Sequence, residues 1–125
     1  MPYRNKTILL IDDNEDIRES TAELLQLSGF HTHIADSGKT GLVMAIELQP
    51  DLVICDIVMS EMDGYEVYNS LKQNHLTAHI CLLFSTAKAE DSDRLRAEKI
   101  GVHHYLVKPF DEDELIRCIR KCLGM

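Results

Sequence analysis

No apolar run in this chain is long enough to cross a bilayer. The longest, Ile8 to Ile11 and Ile80 to Phe84, fall far short of the twenty or so residues a spanning helix needs, and no basic-then-apolar leader opens the sequence. Membrane insertion is therefore not expected, and a cytoplasmic location is. Basic residues are also in short supply: 13 Lys and Arg stand against 21 Asp and Glu, a net charge of -8. That balance disfavours direct contact with a nucleic-acid backbone. The four cysteines, Cys55, Cys81, Cys118 and Cys122, contain no CxxC pair. Cys55 and Cys81 sit in apolar runs where a buried free thiol is ordinary, so all four are expected to be reduced. Cys118 and Cys122 share a helical face, but a metal or redox use of that pair is disfavoured in a cytosolic protein. Internal repeats, low-complexity segments and long linkers are absent too.

What is present fits one globular domain over residues 1–125, with 45% apolar and 27% charged residues. Buried strands are predicted at Thr7 to Ile11, Leu52 to Cys55, Ile80 to Phe84 and Tyr105 to Val107, with a weaker one at His31 to Ala35. Amphipathic stretches lie between and after them, at Ile17 to Leu27, Leu42 to Leu48, Tyr65 to Leu71, Asp91 to Ile100 and Asp111 to Leu123. In the last, acids at 111–114 precede Arg117, Arg120 and Lys121, which complements the helix dipole at both ends. Five β-α alternations imply an α/β fold, a doubly wound five-stranded parallel sheet of flavodoxin-like order 2-1-3-4-5 with helices on both faces.

The polar residues hardest to explain as solvated surface all follow strands directly: Asp12 and Asp13, Asp56, Ser85 and Thr86, and Lys108. In a doubly wound sheet the carboxyl ends of the strands open on one edge, so these residues should converge there. With the first and third strands adjacent, Asp12 and Asp13 would stand beside Asp56 at a strand spacing of about 4.8 Å. Carboxylates that close repel, and without a counter-charge at least one would hold a raised pKa. An all-oxygen donor set suits a hard divalent cation such as Mg²⁺, with Lys108 and Thr86 placed to contact a phosphate.

The segments Ile-Asp-Asp-Asn-Glu-Asp-Ile-Arg from Ile11, Cys-Asp-Ile-Val-Met-Ser-Glu-Met-Asp-Gly from Cys55, Ser-Thr-Ala from Ser85 and Lys-Pro-Phe from Lys108 together resemble the response regulator receiver family. The resemblance spans nearly the whole chain. It implies that Asp56 accepts a phosphoryl group from a histidine kinase or histidine phosphotransfer protein. It implies a Mg²⁺ site, which Mn²⁺ can also fill, made by Asp13, Asp56 and the Val58 carbonyl, with Asp12 acting through a metal-bound water. Thr86, Ala87 and Lys108 would surround the phosphate. Thr86 and Tyr105 would form a switch that alters the surface of the fourth helix, fifth strand and fifth helix, where Ala87, Leu95 and Tyr105 are expected, for a downstream protein or output domain. Val58 and Lys88 would line the path of the hydrolytic water and tune phosphoryl lifetime; an apolar Val58, unable to orient water, predicts a long one.

The resemblance implies a signalling phosphoacceptor that catalyses only its own phosphorylation and slow dephosphorylation, with no output domain in this chain. One departure is clear: the family usually has Pro after Met59, where this chain has Ser60, so the loop loses a φ constraint. A small-molecule aspartyl-phosphate phosphatase is disfavoured, because the first strand lacks a DxD nucleophile motif. A receiver-like module without phosphorylation is disfavoured because acidic pair, acceptor, Thr and Lys are all present. Asp63 reads as a helix cap, Met59 and Met62 as loop packing, and His31, His33, His103 and His104 as exposed or satisfied side chains rather than zinc ligands.

Overall fold

The computed structural model describes Tyr3 and residues 5–87 and 91–125, the side chains of residues 91–93 excepted. Strands and helices alternate as β1 (Thr7–Ile11), α1 (Glu15–Leu27), β2 (His31–Ala35), α2 (Gly38–Leu48), β3 (Leu52–Asp56), α3 (Gly64–Gln73), β4 (Cys81–Thr86), α4 (Asp91–Ile100), β5 (Tyr105–Val107) and α5 (Glu112–Leu123). The strands form one parallel sheet in the order β2-β1-β3-β4-β5, as the alternation predicts.

The strands read as continuous apolar runs because both faces of the sheet are covered. Successive side chains alternate between two cores. Leu9, Ile11, Val53, Cys55, Leu82 and Phe84 pack with Tyr65, Val67 and Leu71 of α3 and Ala45 of α2. Ile8, Leu10, Leu52, Ile54, Leu83 and Leu106 pack on the other face with Leu25 of α1 and with Leu115 and Ile119 of α5. β2 reads weakly in the sequence because it is an edge strand on which His31 and Ile34 are exposed.

Helix starts follow capping chemistry more closely than apolar periodicity. Asn14 caps α1, accepting from Ile17 N. Ser37 caps α2, which therefore begins at Gly38, a full turn before the predicted Leu42. Asp63 with Glu66, and Asp111 with Glu114, make reciprocal capping boxes at α3 and α5. Asp111 is thus the cap of the last helix rather than its first residue. Met59 and Met62 pack against the core beside α2 and α3, as expected.

The cysteine expectation fails. Cys81 and Cys122 are disulfide-bonded across 41 residues of sequence, with their Cα atoms 6.2 Å apart. α5 runs back along the sheet from its carboxyl edge, which brings its last turn beside the start of β4 within disulfide reach. Cys122 therefore pairs with a strand residue and not with Cys118 one turn away. Cys55 and Cys118 remain free thiols.

Candidate functional site

The carboxyl edge of the sheet gathers the predicted residues. Strand register sets their spacing: Ile11 lies opposite Cys55, Asp56 opposite Ser85, and Thr86 opposite Val107. Asp12, Asp13, Asp56 and Lys108 are thereby delivered by β1, β3 and β5 to one place. The carboxylates of Asp12, Asp13 and Asp56 each offer an oxygen within 4.8 Å of the others.

Asp12 is only 2% exposed. Its two oxygens are engaged: Oδ1 accepts from Asn14 N at 2.9 Å, and Oδ2 accepts from Lys108 Nζ at 2.7 Å. Lys108 Nζ also lies 3.4 Å from Asp56 Oδ2, so one ammonium bridges two strand ends. Its position is fixed in turn by its backbone N–H, which donates to Thr86 O at 2.8 Å. The peptide bond that follows, Lys108–Pro109, is cis.

Asp56 accepts a bond from Val58 N at 3.3 Å. Burial lifts its carboxyl above the ordinary carboxylate range, Lys108 opposes that rise, and the Asp12 charge adds to it. The raised pKa expected of a carboxylate cluster is therefore present, but desolvation and not repulsion is its main cause. Behind Asp56, burial pushes the Cys55 thiol well up, with the Asp56 charge adding to the effect. Cys55 is accordingly an inert thiol packed in the core.

Gly64 at the start of α3 approaches this strand end so closely that a Cβ there would come 2.7 Å from the Asp56 carbonyl oxygen. Its N–H donates to Ile57 O at 2.8 Å, which anchors the loop after Asp56 to α3. Only glycine permits that approach.

Asp13 is exposed, and its Oδ2 accepts from the backbone N–H of Ser60 at 3.1 Å. Proline at position 60 has no such donor. Ser60, which the sequence marks only as a lost constraint, thus ties the loop after β3 to the acidic pair.

A cleft of about 350 Å³ opens over the cluster, with Asp13, Asp56, Val58, Thr86, Ala87 and Lys108 on its walls. Thr86 is buried at 1% exposure and Val58 is 53% exposed. Lys88 lies outside the described residues. Tyr105 is half-buried against the α3-side core, with the Arg94 guanidinium 5.3 Å from its ring centre. Leu95 is exposed on α4.

Three features escape sequence reasoning. The Ser60–Asp13 bond uses a backbone donor that no side-chain motif records. The Arg94–Tyr105 contact joins α4 to β5 across eleven residues. The third is His104, expected to be an exposed or satisfied histidine rather than a zinc ligand. Its ring lies within 4.8 Å of the Cys81 and Cys122 sulfurs at the other end of the sheet.

Comparison with known proteins agrees with this geometry. The family model for the response regulator receiver domain matches residues 8–120. The Escherichia coli regulatory protein AtoC is 34% identical over 118 residues, covering 94% of this chain and 25% of that protein. The DNA-binding dual master transcriptional regulator RpaA of Synechocystis is 34% identical over 116 residues, covering 93% of this chain and 48% of that protein. The chain spans a quarter to about half the length of these curated relatives. Among solved structures, a Chloroflexus aurantiacus protein described as a response regulator superposes with a TM-score of 0.89 at 29% identity, covering 96% of this chain and 98% of that one. Vibrio cholerae chemotaxis protein CheY4 shares the fold, with a TM-score of 0.89 at 24% identity over 94% of this chain and 98% of its own. No helix among the described residues is long and apolar enough to cross a membrane. Acidic cluster, bridging lysine, sheet order and family match converge on one assignment: the chain belongs to the response regulator receiver family, a signalling domain of two-component systems.

Proposed function

We propose that Asp56 accepts a phosphoryl group from the phosphohistidine of a histidine kinase or histidine phosphotransfer protein. The observation that carries this reading is the cluster of Asp56, Asp12, Asp13 and the Lys108 ammonium at the carboxyl edge of the sheet, beneath a cleft walled by Asp13, Asp56 and Lys108. An Asp56 carboxylate oxygen attacks phosphorus, the P–N bond breaks, and the imidazole nitrogen leaves with the bonding pair and is protonated. The product is an acyl phosphate, later removed by water.

Three carboxylates with no soft donor among them fit a hard divalent cation. When bound, Mg²⁺ or Mn²⁺ supplies charge neutralisation for the incoming phosphoryl oxygens. Asp13, Asp56 and the Val58 carbonyl would hold it, and Asp12, occupied by Lys108, would act through a bound water. Lys108 is placed to move its ammonium from the Asp56 carboxylate to a phosphoryl oxygen. The Thr86 hydroxyl and the backbone at Ala87 would receive the other oxygens.

Drawing Thr86 toward the phosphoryl group would free space for Tyr105 and shift the population of the α4–β5–α5 surface that a downstream protein or output domain reads. The domain is one unit over residues 1–125, acts in the cytoplasm, and catalyses only its own phosphorylation and slow dephosphorylation. Val58 lines the cleft without a side-chain hydrogen-bonding group to orient water, so a long phosphoryl lifetime is expected, and Lys88, two residues after Thr86 in the sequence, would tune it further.

The test is intact-mass analysis after incubation with acetyl phosphate, with and without Mg²⁺. Wild type should gain one phosphoryl group only with the cation, and Asp56→Asn should gain none. An undiminished adduct on the variant, or none on wild type, overturns the reading.

A further inference from the structure

The amino end of the sheet carries a second chemically competent cluster that the phosphoryl reading does not use. Cys81 opens β4, Cys122 lies in the last turn of α5, and His104 immediately precedes β5. All three are half-buried, so each sulfur is packed yet still reachable by a small reagent. Their sulfur and ring-nitrogen atoms lie within 4.8 Å of one another. The other two cysteines are set apart. Cys55 is sealed in the core, and burial raises the Cys118 thiol, so neither competes well as a thiolate.

We propose that Cys81 and Cys122 form a reversible thiol–disulfide couple, served by His104 as proton acceptor, that fastens α5 to β4 when closed. Closure needs a two-electron oxidant, and a low-molecular-weight disulfide such as oxidised glutathione is the class that fits. Cys81 reacts first, because Cys122 sits at a helix carboxyl end whose dipole opposes a thiolate. His104 takes the Cys81 proton, and the Cys81 thiolate attacks one sulfur of the oxidant. The oxidant's S–S bond breaks, and one glutathione leaves as thiolate. Cys122, losing its proton in turn, attacks Cys81 Sγ in the mixed disulfide and expels the second glutathione. Both protein protons end on the two released thiols, and the two electrons reduce the oxidant.

His104 suits this role because burial, with His103 and Lys121 nearby, lowers its pKa, so its ring is neutral and able to accept a proton. The loop that the bond closes contains β4, α4, β5 and all but the last residue of α5. Oxidation therefore constrains that whole segment without involving the acidic cluster, and the couple stands whether or not Asp56 is phosphorylated.

The experiment equilibrates the full chain in glutathione buffers of stepped redox poise, alkylates free thiols and maps peptides by mass spectrometry. Expected is one transition in which residues 81 and 122 become cross-linked, Cys55 and Cys118 stay alkylatable after unfolding, and dithiothreitol reverses the change. Cys122→Ser should instead accumulate a single glutathione on Cys81, and His104→Gln should slow closure roughly tenfold or more. Hydrogen exchange at residues 117–123 should slow on closure. A bridge between other cysteines, or failure of 81 and 122 to pair under oxidising poise, overturns the proposal. An unchanged closure rate in His104→Gln overturns the role of His104.

Discussion

The two ends of the sheet solve opposite problems. At the carboxyl edge, like charges are held together: three carboxylates lie within 4.8 Å of one another, and among the described residues one lysine bridges two of them. At the amino edge, neutral thiols meet beside an imidazole, and a covalent bond replaces electrostatic balance. Fold stability alone would not choose the first arrangement, since a half-neutralised acidic cluster costs desolvation and repulsion. The proposed receipt of a phosphoryl group and a cation would gain from a site left short of positive charge. The amino edge carries no such requirement, and there the chain closes on itself.

Substitutions that strip each end of its own device should separate the two. The largest effect belongs to the amino edge under oxidising conditions. Cys81→Ser opens a loop of 41 residues and should cost about 4 kcal/mol in the chain-entropy view, read as a drop in urea midpoint that vanishes when both proteins are reduced. A difference that survives reduction would mean that Cys81 contributes through packing instead.

Lys108→Met comes next. It leaves the buried Asp12 without its ammonium, and about 3 kcal/mol of destabilisation is expected. Mg²⁺ should restore part of that loss, since it can replace the missing positive charge. Equal loss with and without Mg²⁺ would contradict the idea that the cation and Lys108 answer the same electrostatic deficit.

Ser60→Pro removes the N–H that donates to Asp13 and should cost about 1 kcal/mol or less, partly offset by a stiffer loop. Its sharper signature is at the cation: Mg²⁺ affinity, followed by calorimetry, should change because Asp13 loses a competing donor. An unaltered affinity would limit the Ser60 contact to loop geometry.

The smallest effect is a pH dependence at Asp56. Its folded pKa is raised, chiefly by burial, so the protonated form is the one the fold favours. Stability from this group is fully present below the unfolded carboxylate value of about 3.9 and is lost as pH rises through the higher folded value. Asp56→Asn, which never ionises, should therefore match wild type in acid and gain relative to it toward neutrality in paired urea titrations. A difference that does not vary with pH would remove desolvation as the cause.

Much of the carboxyl edge is legible in the sequence, because each of its residues follows an apolar run and the doubly wound topology sends all such ends to one place. Asp12, Asp13, Asp56 and Lys108 are brought together for that reason alone. The ion pair itself is less legible: Lys108, expected to await a phosphate, is already engaged with Asp12. Helix starts at Gly38 and Glu112 are displaced from the apolar pattern because Ser37 and Asp111 act as caps, and caps are polar.

The amino edge is hidden for a different reason. Cys81 in β4 and Cys122 in α5 are separated by two further elements, α4 and β5, and nothing in their local spacing distinguishes them from the free thiols Cys55 and Cys118. Only the return path of α5 along the sheet makes them neighbours. The Ser60 contact is hidden because a backbone N–H leaves no trace in residue identity beyond the absence of proline.

The proposed work of the carboxyl edge is to form an acyl phosphate on one carboxylate, Asp56. Borohydride reduction of phosphorylated protein, followed by peptide sequencing, tests it most directly, because an aspartyl phosphate is reduced to homoserine where an unmodified carboxylate is not. Homoserine is expected at position 56 alone, dependent on Mg²⁺ during phosphorylation. Homoserine at position 12 or 13, or a phosphoryl adduct that resists borohydride, would contradict it.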